Sequence, residues 1–168
     1  MTGLDPATET LLEIATILTN YDLEIIDRGP DLAIRQSSAR LAGMNAWNRR
    51  THGASGLIER SRAEGVALKE AERQTLAFVR KHCYARTAPL CGNNVGHDKR
   101  FIARYMPGLY AYLHYRIIDV SSIKVLVAEW YAGRYAMPKK AETHRALTDI
   151  EESIDELRYY RNTVFIKP

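Results

Sequence analysis

Leu11-Leu12-Glu13-Ile14-Ala15-Thr16-Ile17-Leu18-Thr19, followed by Asn20-Tyr21-Asp22, is the stretch on which the fold turns. Its apolar positions Leu12, Ile14, Ile17 and Leu18 make a run too short and too β-branched for an ordinary helix, so it reads as a strand. Asn20-Tyr21-Asp22 supplies turn chemistry, because short polar side chains bond back to their own backbone. Leu23 to Asp27 and then Leu32 to Arg35 read as a second strand interrupted by Gly29-Pro30, since proline cannot donate to a ladder. The chain is expected to open on a meander.

Helical signals follow. Ser37 can cap a helix whose apolar positions Leu41, Met44 and Trp47 recur at helical spacing, and a shorter helix is expected through Leu57-Ile58. The polar stretch Asn48 to Ser55 lies between them. Leu68 to His82 is amphipathic, with Leu68, Ala71, Leu76, Phe78 and Val79 set among charged residues, and should cover the sheet. Pro89-Leu90-Cys91 reads as a short buried strand ending at Gly92, and Asp98 to Tyr105 as a helix stopped at Pro107, which places Asp98 at a strand-to-helix junction. Ile117 to Val120 is a further buried strand, and Ser121 can cap a helix from Ser122 to Trp130. The basic loop Lys139-Lys140 precedes a last helix with Leu147, Ile150, Ile154 and Leu157 on one face, which also carries Asp149 and Tyr159-Tyr160. Strands followed by helices, after an early meander, indicate an α/β fold built on a mixed sheet.

Bulk properties narrow the function. A chain of 168 residues, 46% hydrophobic, can bury one core and is read as a single domain over residues 1–168. The formal charge of +4 suits a polyanionic partner without the dense Lys/Arg runs of proteins that coat nucleic acid. Only Cys83 and Cys91 occur, at no paired spacing, which argues against a disulfide framework and for a reducing cytoplasm. No apolar run approaches the roughly 18 residues of a membrane span, and the N-terminus lacks the pattern of a secretory leader, so no membrane partner is expected. His82, His97 and His114 share no zinc-ligand spacing with a cysteine.

The chemistry-bearing residues are Asp98, within Gly92-Asn93-Asn94-Val95-Gly96-His97-Asp98, and His144 and Asp149, within His144-Arg145-Ala146-Leu147-Thr148-Asp149. Taken alone, an aspartate at a helix start is a cap and a lone histidine an ordinary surface or core residue. The surrounding words change that weighting: Met1 to Pro6; Leu12-Glu13-Ile14-Ala15-Thr16; Trp47-Asn48-Arg49-Arg50-Thr51-His52 with Ala54-Ser55-Gly56-Leu57; Cys91-Gly92-Asn93; His114-Tyr115-Arg116; Asp119-Val120-Ser121; and His144 through Asp149. In this order and spacing, over the whole chain, they resemble oligoribonucleases, 3′-to-5′ exoribonucleases of the DEDDh group with an RNase H-like fold.

The resemblance implies that Asp98 and Asp149 are metal ligands for Mg²⁺ or Mn²⁺, with two divalent ions in a complete site, and that His144 is the general base. The chemistry agrees, since a near-neutral histidine accepts a proton at working pH and hard carboxylate oxygens suit these ions. It further implies that Leu4 wedges between two bases and that Trp47 stacks on one, although Trp47 also continues the Leu41-Met44 stripe and reads equally as core. His52, Arg116 and Ser121 resemble the group that caps the terminal phosphate of a very short RNA, and Tyr115 a stacking residue. Tyr115 and Arg116 would reach in from a second subunit of a homodimer. An Arg fork pairs well with two phosphate oxygens. Asn94 stands where the family often has serine, and its amide can still donate. Asp119 is read as structural, capping the helix that follows.

One departure stands at the front. The family carries Asp-x-Glu on a first strand, directly before the position of Met1, and neither carboxylate occurs in these residues; the sheet is therefore expected to lack its first strand. A missed upstream start or a fragment is the expected cause. Asp5, in a turn before Pro6, and Glu9 are the nearest substitutes, and turn formation suits Asp5 better than ligation. Two functions stay open: an exoribonuclease that turns dinucleotides and other very short single-stranded RNA into nucleoside 5′-monophosphates, and a catalytically impaired module that binds short RNA. A DEDDh exonuclease for longer strands, a DNA proofreader included, fits the phosphate cap at Tyr115 and Arg116 less well.

Overall fold

The computed structural model describes residues 1–137 and 145–166. Lys139, Lys140 and His144 lie outside the described residues.

The opening hairpin forms as two strands, β1 (Glu13–Thr19) and β2 (Ile25–Ala33), paired antiparallel. Asn20 builds the turn: its Oδ1 accepts from the backbone N–H groups of Asp22 at 2.9 Å and Glu24 at 3.0 Å. The second strand is continuous, where the sequence suggested a break. Ala15 pairs with Asp31 and Ile17 with Arg28, so Gly29-Pro30 is absorbed as a β-bulge, the one place inside a strand that tolerates proline. Glycine at 29 also leaves room for Phe78, since a Cβ there would come within 2.6 Å of its ring.

Helices α1 (Ser38–Ala42), α2 (Ala46–Ala54), α3 (Leu57–Ala63) and α4 (Leu68–His82) follow. Ser37 caps α1 as expected, accepting from the Arg40 N–H at 3.2 Å. The expected helix through Trp47 is instead two helices, because Asn45 caps a new one by accepting from the Asn48 N–H at 2.8 Å. The polar stretch Asn48 to Ser55, read as a connection, belongs almost entirely to α2. Its buried face consists of Asn48 and His52, so apolar periodicity could not reveal it. The amphipathic helix α4 has the expected bounds.

Strand β3 (Leu90–Gly92) leads into α5 (Val95–Tyr105), and α6 (Pro107–Tyr112) begins with proline at a position where its missing N–H costs nothing. Strand β4 (Ile117–Asp119) pairs parallel with β3, Gly92 opposite Asp119, and runs straight into α7 (Val120–Trp130); α8 (Ala146–Thr163) is the last helix. Asp119, not Ser121, caps α7, accepting from the Ser121 N–H at 3.0 Å. The α/β class with antiparallel and parallel pairing is thus present. Among the described residues the strands form two two-stranded ladders, plus an isolated parallel bridge between Ile34 and Val66.

Three apolar clusters hold these layers together. Leu11, Ile34, Ala71, Val79, Phe101, Ile102, Met106 and Leu109 join the end of β2 to α4, α5 and α6. Leu12, Ala33, Leu41, Met44 and Leu57 seat α1 and α3 on the hairpin. Val120, Val127 and Tyr160 pack α7 on α8. Phe101 is fully buried, and truncating such a ring costs about 3–5 kcal/mol.

Candidate active site

Two helix starts carry the acidic residues. Asp98 is in the first turn of α5 and Asp149 in the first turn of α8. Asp98 is half-buried, and burial pushes its carboxyl above the usual carboxylate range. Asp149 is exposed.

The turn before α5 is held by its neighbours. Asn94 adopts a left-handed conformation with φ of 50°, and its backbone N–H donates to Asp119 Oδ1 at 3.1 Å and to Ser121 Oγ at 3.0 Å. Ser121 Oγ donates in turn to Asn93 Oδ1 at 3.1 Å. The Asn93 amide donates to Ser153 Oγ at 3.1 Å and to Glu156 Oε2 at 3.1 Å, and Ser153 Oγ donates to the Asp149 carbonyl at 2.8 Å. This chain of bonds joins both acid-bearing helices. Glu156 is 1% exposed, and Lys124 Nζ at 3.2 Å offsets its charge.

The N-terminal segment reaches the same neighbourhood through α2. The Asn48 amide donates to the Thr2 carbonyl at 2.7 Å, and His52 Nε2 donates to the Met1 carbonyl at 2.9 Å. Thr2 Oγ1 donates to Glu9, and the Thr10 N–H donates to Thr2 Oγ1 at 2.9 Å. Leu4 and Trp47, near the two partners of the Asn48–Thr2 bond in the chain, are 72% and 51% exposed. Trp47 is therefore outside the core clusters, which removes one of its two readings. The phosphate-cap candidates are divided: Ser121 lies beside Asn94, whereas His52 is buried against the N-terminal segment. Tyr115 and Arg116 project to solvent, the guanidinium carbon 5.2 Å from the Tyr115 ring centre. A cavity of about 450 Å³ beside them is lined by Arg86, Lys99, Tyr110 and His114 among others.

A divalent cation would be held by carboxylates, and the surroundings of Asp98 suit one in chemical type. The Met1 amino group is buried; burial lowers its pKa, while Asp98, Glu13 and Glu9 pull toward the charged form. The acids offset the burial only in part, and the charged form of the amino group is disfavoured on balance. The donor number falls short, since no group of three or more His, Cys, Asp or Glu side chains placed to hold a metal ion occurs among the described residues.

The comparisons with known proteins agree with this layout. The exonuclease (RNase T) family model matches residues 1–157. The oligoribonuclease of Shewanella loihica is 52% identical over 165 residues, covering 98% of this chain and 91% of the relative. That of Dichelobacter nodosus is 50% identical over 168 residues, covering 100% and 92%, and that of Photorhabdus laumondii is 50% identical over 161 residues, covering 96% and 89%. The chain belongs to the oligoribonuclease branch of the exonuclease family. Its mixed α/β layout agrees with the RNase H-like fold of that family, whose enzymes are hydrolases that depend on divalent metal ions in general.

Two buried acids that hold the surroundings of the acid-bearing helices, Glu13 and Glu156, carry no assignment from the sequence. Glu13, a single charge inside the apolar run Leu11 to Thr19, belongs to one of the family-like words without a role of its own there, yet its side chain is 5% exposed and ion-paired. A buried-looking charge in a strand is a signal that could have found it. Glu156 had no such signal, because on a surface-rich helix a further acid looks solvated.

Proposed function

We propose that this chain is a 3′-to-5′ exoribonuclease that acts on very short single-stranded RNA, dinucleotides above all, and releases nucleoside 5′-monophosphates in the cytoplasm, its 168 residues acting as one domain. Identity of about half the residues to oligoribonucleases across nearly the whole chain carries the reading. The placement of Asp98 and Asp149 in first turns of helices joined by one hydrogen-bond network supports it.

In this reading Leu4 separates two bases and Trp47 stacks on one, a contact that tolerates any base. The Ser121 hydroxyl, the Asn94 amide, His52 and Arg116 address the terminal phosphate, with Tyr115 stacked nearby. Asp98 and Asp149 would hold Mg²⁺ or Mn²⁺, two ions in a complete site, which when bound neutralises charge at the scissile phosphate. His144 takes a proton from the attacking water; the water oxygen bonds to phosphorus as the bond to the upstream 3′ oxygen breaks. That oxygen takes up a proton from solvent and leaves as the new 3′ hydroxyl. Tyr115 and Arg116 serve the site of a second copy in a homodimer. The exposed stripe Val125, Leu126 and Trp130 on α7 supports an interface, since apolar patches of this kind mark docking surfaces.

A second reading, a module that binds short RNA without cleaving it, is favoured by the short donor set. A 5′-phosphorylated dinucleotide offered with Mn²⁺ separates the two. Release of mononucleotides supports hydrolysis, and tight binding without release supports the module. Equal rates on a dinucleotide and on an RNA of about twenty residues would overturn the short-substrate assignment.

A further inference from the structure

The cavity of about 450 Å³ holds no group that the proposed reaction uses apart from Tyr115, and its size falls within the range of about 300–1,000 Å³ typical of small-molecule sites. Arg86, Lys99 and His114 bring nitrogen donors to it, and Tyr110 and Tyr115 bring aromatic rings. Ile102 of α5 and Leu113 supply part of an apolar wall. Among the described residues no aspartate or glutamate lines the cavity, and no ion pair engages Arg86 or Lys99. Positive charge left uncompensated in a hollow draws an anion.

The walls are set by the fold itself. The Arg86 N–H donates to the Tyr112 carbonyl at 2.7 Å and the His114 N–H to the Ala88 carbonyl at 2.9 Å, which lace the segment before β3 to the end of α6. Arg86 is held there at a φ of 61°, a left-handed conformation that is uncommon outside glycine and gathers at ligand sites. Lys99 Nζ donates to the Tyr115 carbonyl at 2.5 Å, tying that loop to α5 while two ammonium hydrogens remain for a ligand. His114 Nδ1 accepts from the Arg116 N–H at 3.2 Å, so a neutral ring carries its proton on Nε2, which is then a donor. The His114 ring centre, 4.5 Å from that of Tyr115, braces the second aromatic. Nitrogen donors suit a phosphate, and tyrosine rings suit the face of any base.

We propose that this cavity is a second nucleotide site, separate from Asp98 and Asp149, that takes a nucleoside 5′-monophosphate: its phosphate meets Arg86, Lys99 and His114, and its base meets the tyrosines. Such binding requires neither a divalent cation nor hydrolysis of RNA.

The test is calorimetric titration of the full 168-residue protein with adenosine 5′-monophosphate in the presence of a chelator, with adenosine and inorganic phosphate as partial ligands. The titrations are made in a Leu4→Ala, Trp47→Ala background, which blanks the substrate site proposed above and changes only exposed side chains. Adenosine 5′-monophosphate should bind in that background, and each partial ligand should bind at least about tenfold more weakly, since it offers one half of the recognition. Arg86→Asn, chosen because asparagine tolerates the left-handed backbone, should weaken the nucleotide by about tenfold, the loss of one charge-assisted hydrogen bond. Lys99→Met should do the same, and Arg86→Asn provides the readout if loss of the Tyr115 tether disturbs the fold. Tyr110→Leu should weaken the nucleotide and leave inorganic phosphate within about twofold. Absence of nucleotide binding in the background, or parental affinity in Arg86→Asn, would overturn the inference. Equal affinity for phosphate and for the nucleotide would overturn it too, leaving an anion hollow without base recognition. A changed oligomeric state of Arg86→Asn on sizing chromatography would give the cavity to a second copy of the chain, with the same consequence.

Discussion

Both acid-bearing helices begin without a cap of their own, and they are completed in different ways. At α5, the Asn94 N–H is met by Asp119 and Ser121, which lie 25 and 27 residues away and arrive through the parallel pairing of Gly92 with Asp119. At α8, the Ala146 N–H is met by Glu13, 133 residues away, whose charge is balanced by two guanidinium groups. Backbone ladder sets the first helix start and a nearly buried ion cluster sets the second. The difference separates their vulnerabilities. Moving Asp98 requires breaking a strand pair, whereas moving Asp149 requires removing one charge.

The largest effects should come from the carboxylates themselves. Asp98→Asn and Asp149→Asn should each lower turnover of a dinucleotide by more than about 100-fold, beyond the usual loss of an outer partner, as read by mononucleotide release. Stability should move in opposite directions. Asp98 has a folded-state pKa above its ordinary 3.8 because burial disfavours its charge, so its contribution is present below that value and lost as pH rises through the raised pKa. Asp98→Asn should therefore melt higher than the parent at neutral pH, with the advantage vanishing as pH falls below 3.8. Asp149 is exposed at a helix N-terminus, where an acid contributes about 0.3–1 kcal/mol, so Asp149→Asn should melt slightly lower. If both variants shifted alike, the contrast between the two helix starts would collapse.

That contrast also marks how far the sequence could be read. The amphipathic helix α4, the parallel strands at Leu90 and Ile117, and the caps at Ser37 and Asp119 were legible, because each is written within a few neighbouring residues. The site residues around Asp98 and Asp149 stand on resemblance alone. Helix α2 escaped because its buried face is Asn48 and His52, and the Gly29-Pro30 bulge escaped because continuity depended on its partner strand. Glu13 escaped for the deepest reason. Its place inside an apolar run signals burial, but its partner 133 residues away is written nowhere locally, and only the packed chain brings Glu13 to Ala146. The clamps at the two acidic helices are tertiary, so they were the least visible parts of the site.

A smaller effect is expected from the α5 side. Asp119→Ala removes both the α7 cap and an acceptor for Asn94, and cap loss costs about 0.5–2 kcal/mol. Ser121 Oγ still accepts from the Asn94 N–H at 3.0 Å, so the turn should loosen without opening. KM for a 5′-phosphorylated dinucleotide should rise several-fold while Mn²⁺ affinity changes little. Asp119→Asn, which keeps an oxygen acceptor, should recover most of the loss. A large fall in Mn²⁺ affinity in Asp119→Ala would mean that α5 depends on its clamp as heavily as α8 does, contrary to a start set by the strand ladder.

The smallest effect is expected where the cap is local. Ser37 accepts from the Arg40 N–H at 3.2 Å, three residues away, and α1 holds Leu41 in the cluster with Leu12 and Leu57. Ser37→Ala should cost about 0.5–1 kcal/mol, at the low end for caps because α1 is short and packed by Leu41. Turnover and Mn²⁺ affinity should stay within about twofold of the parent, because among the described residues no hydrogen bond of Ser37 reaches α5 or α8. Thermal melts and Mn²⁺ titrations on one set of samples check both claims. A loss of turnover here comparable to that of Asp149→Asn would mean that general loosening, and not the starts of α5 and α8, governs activity.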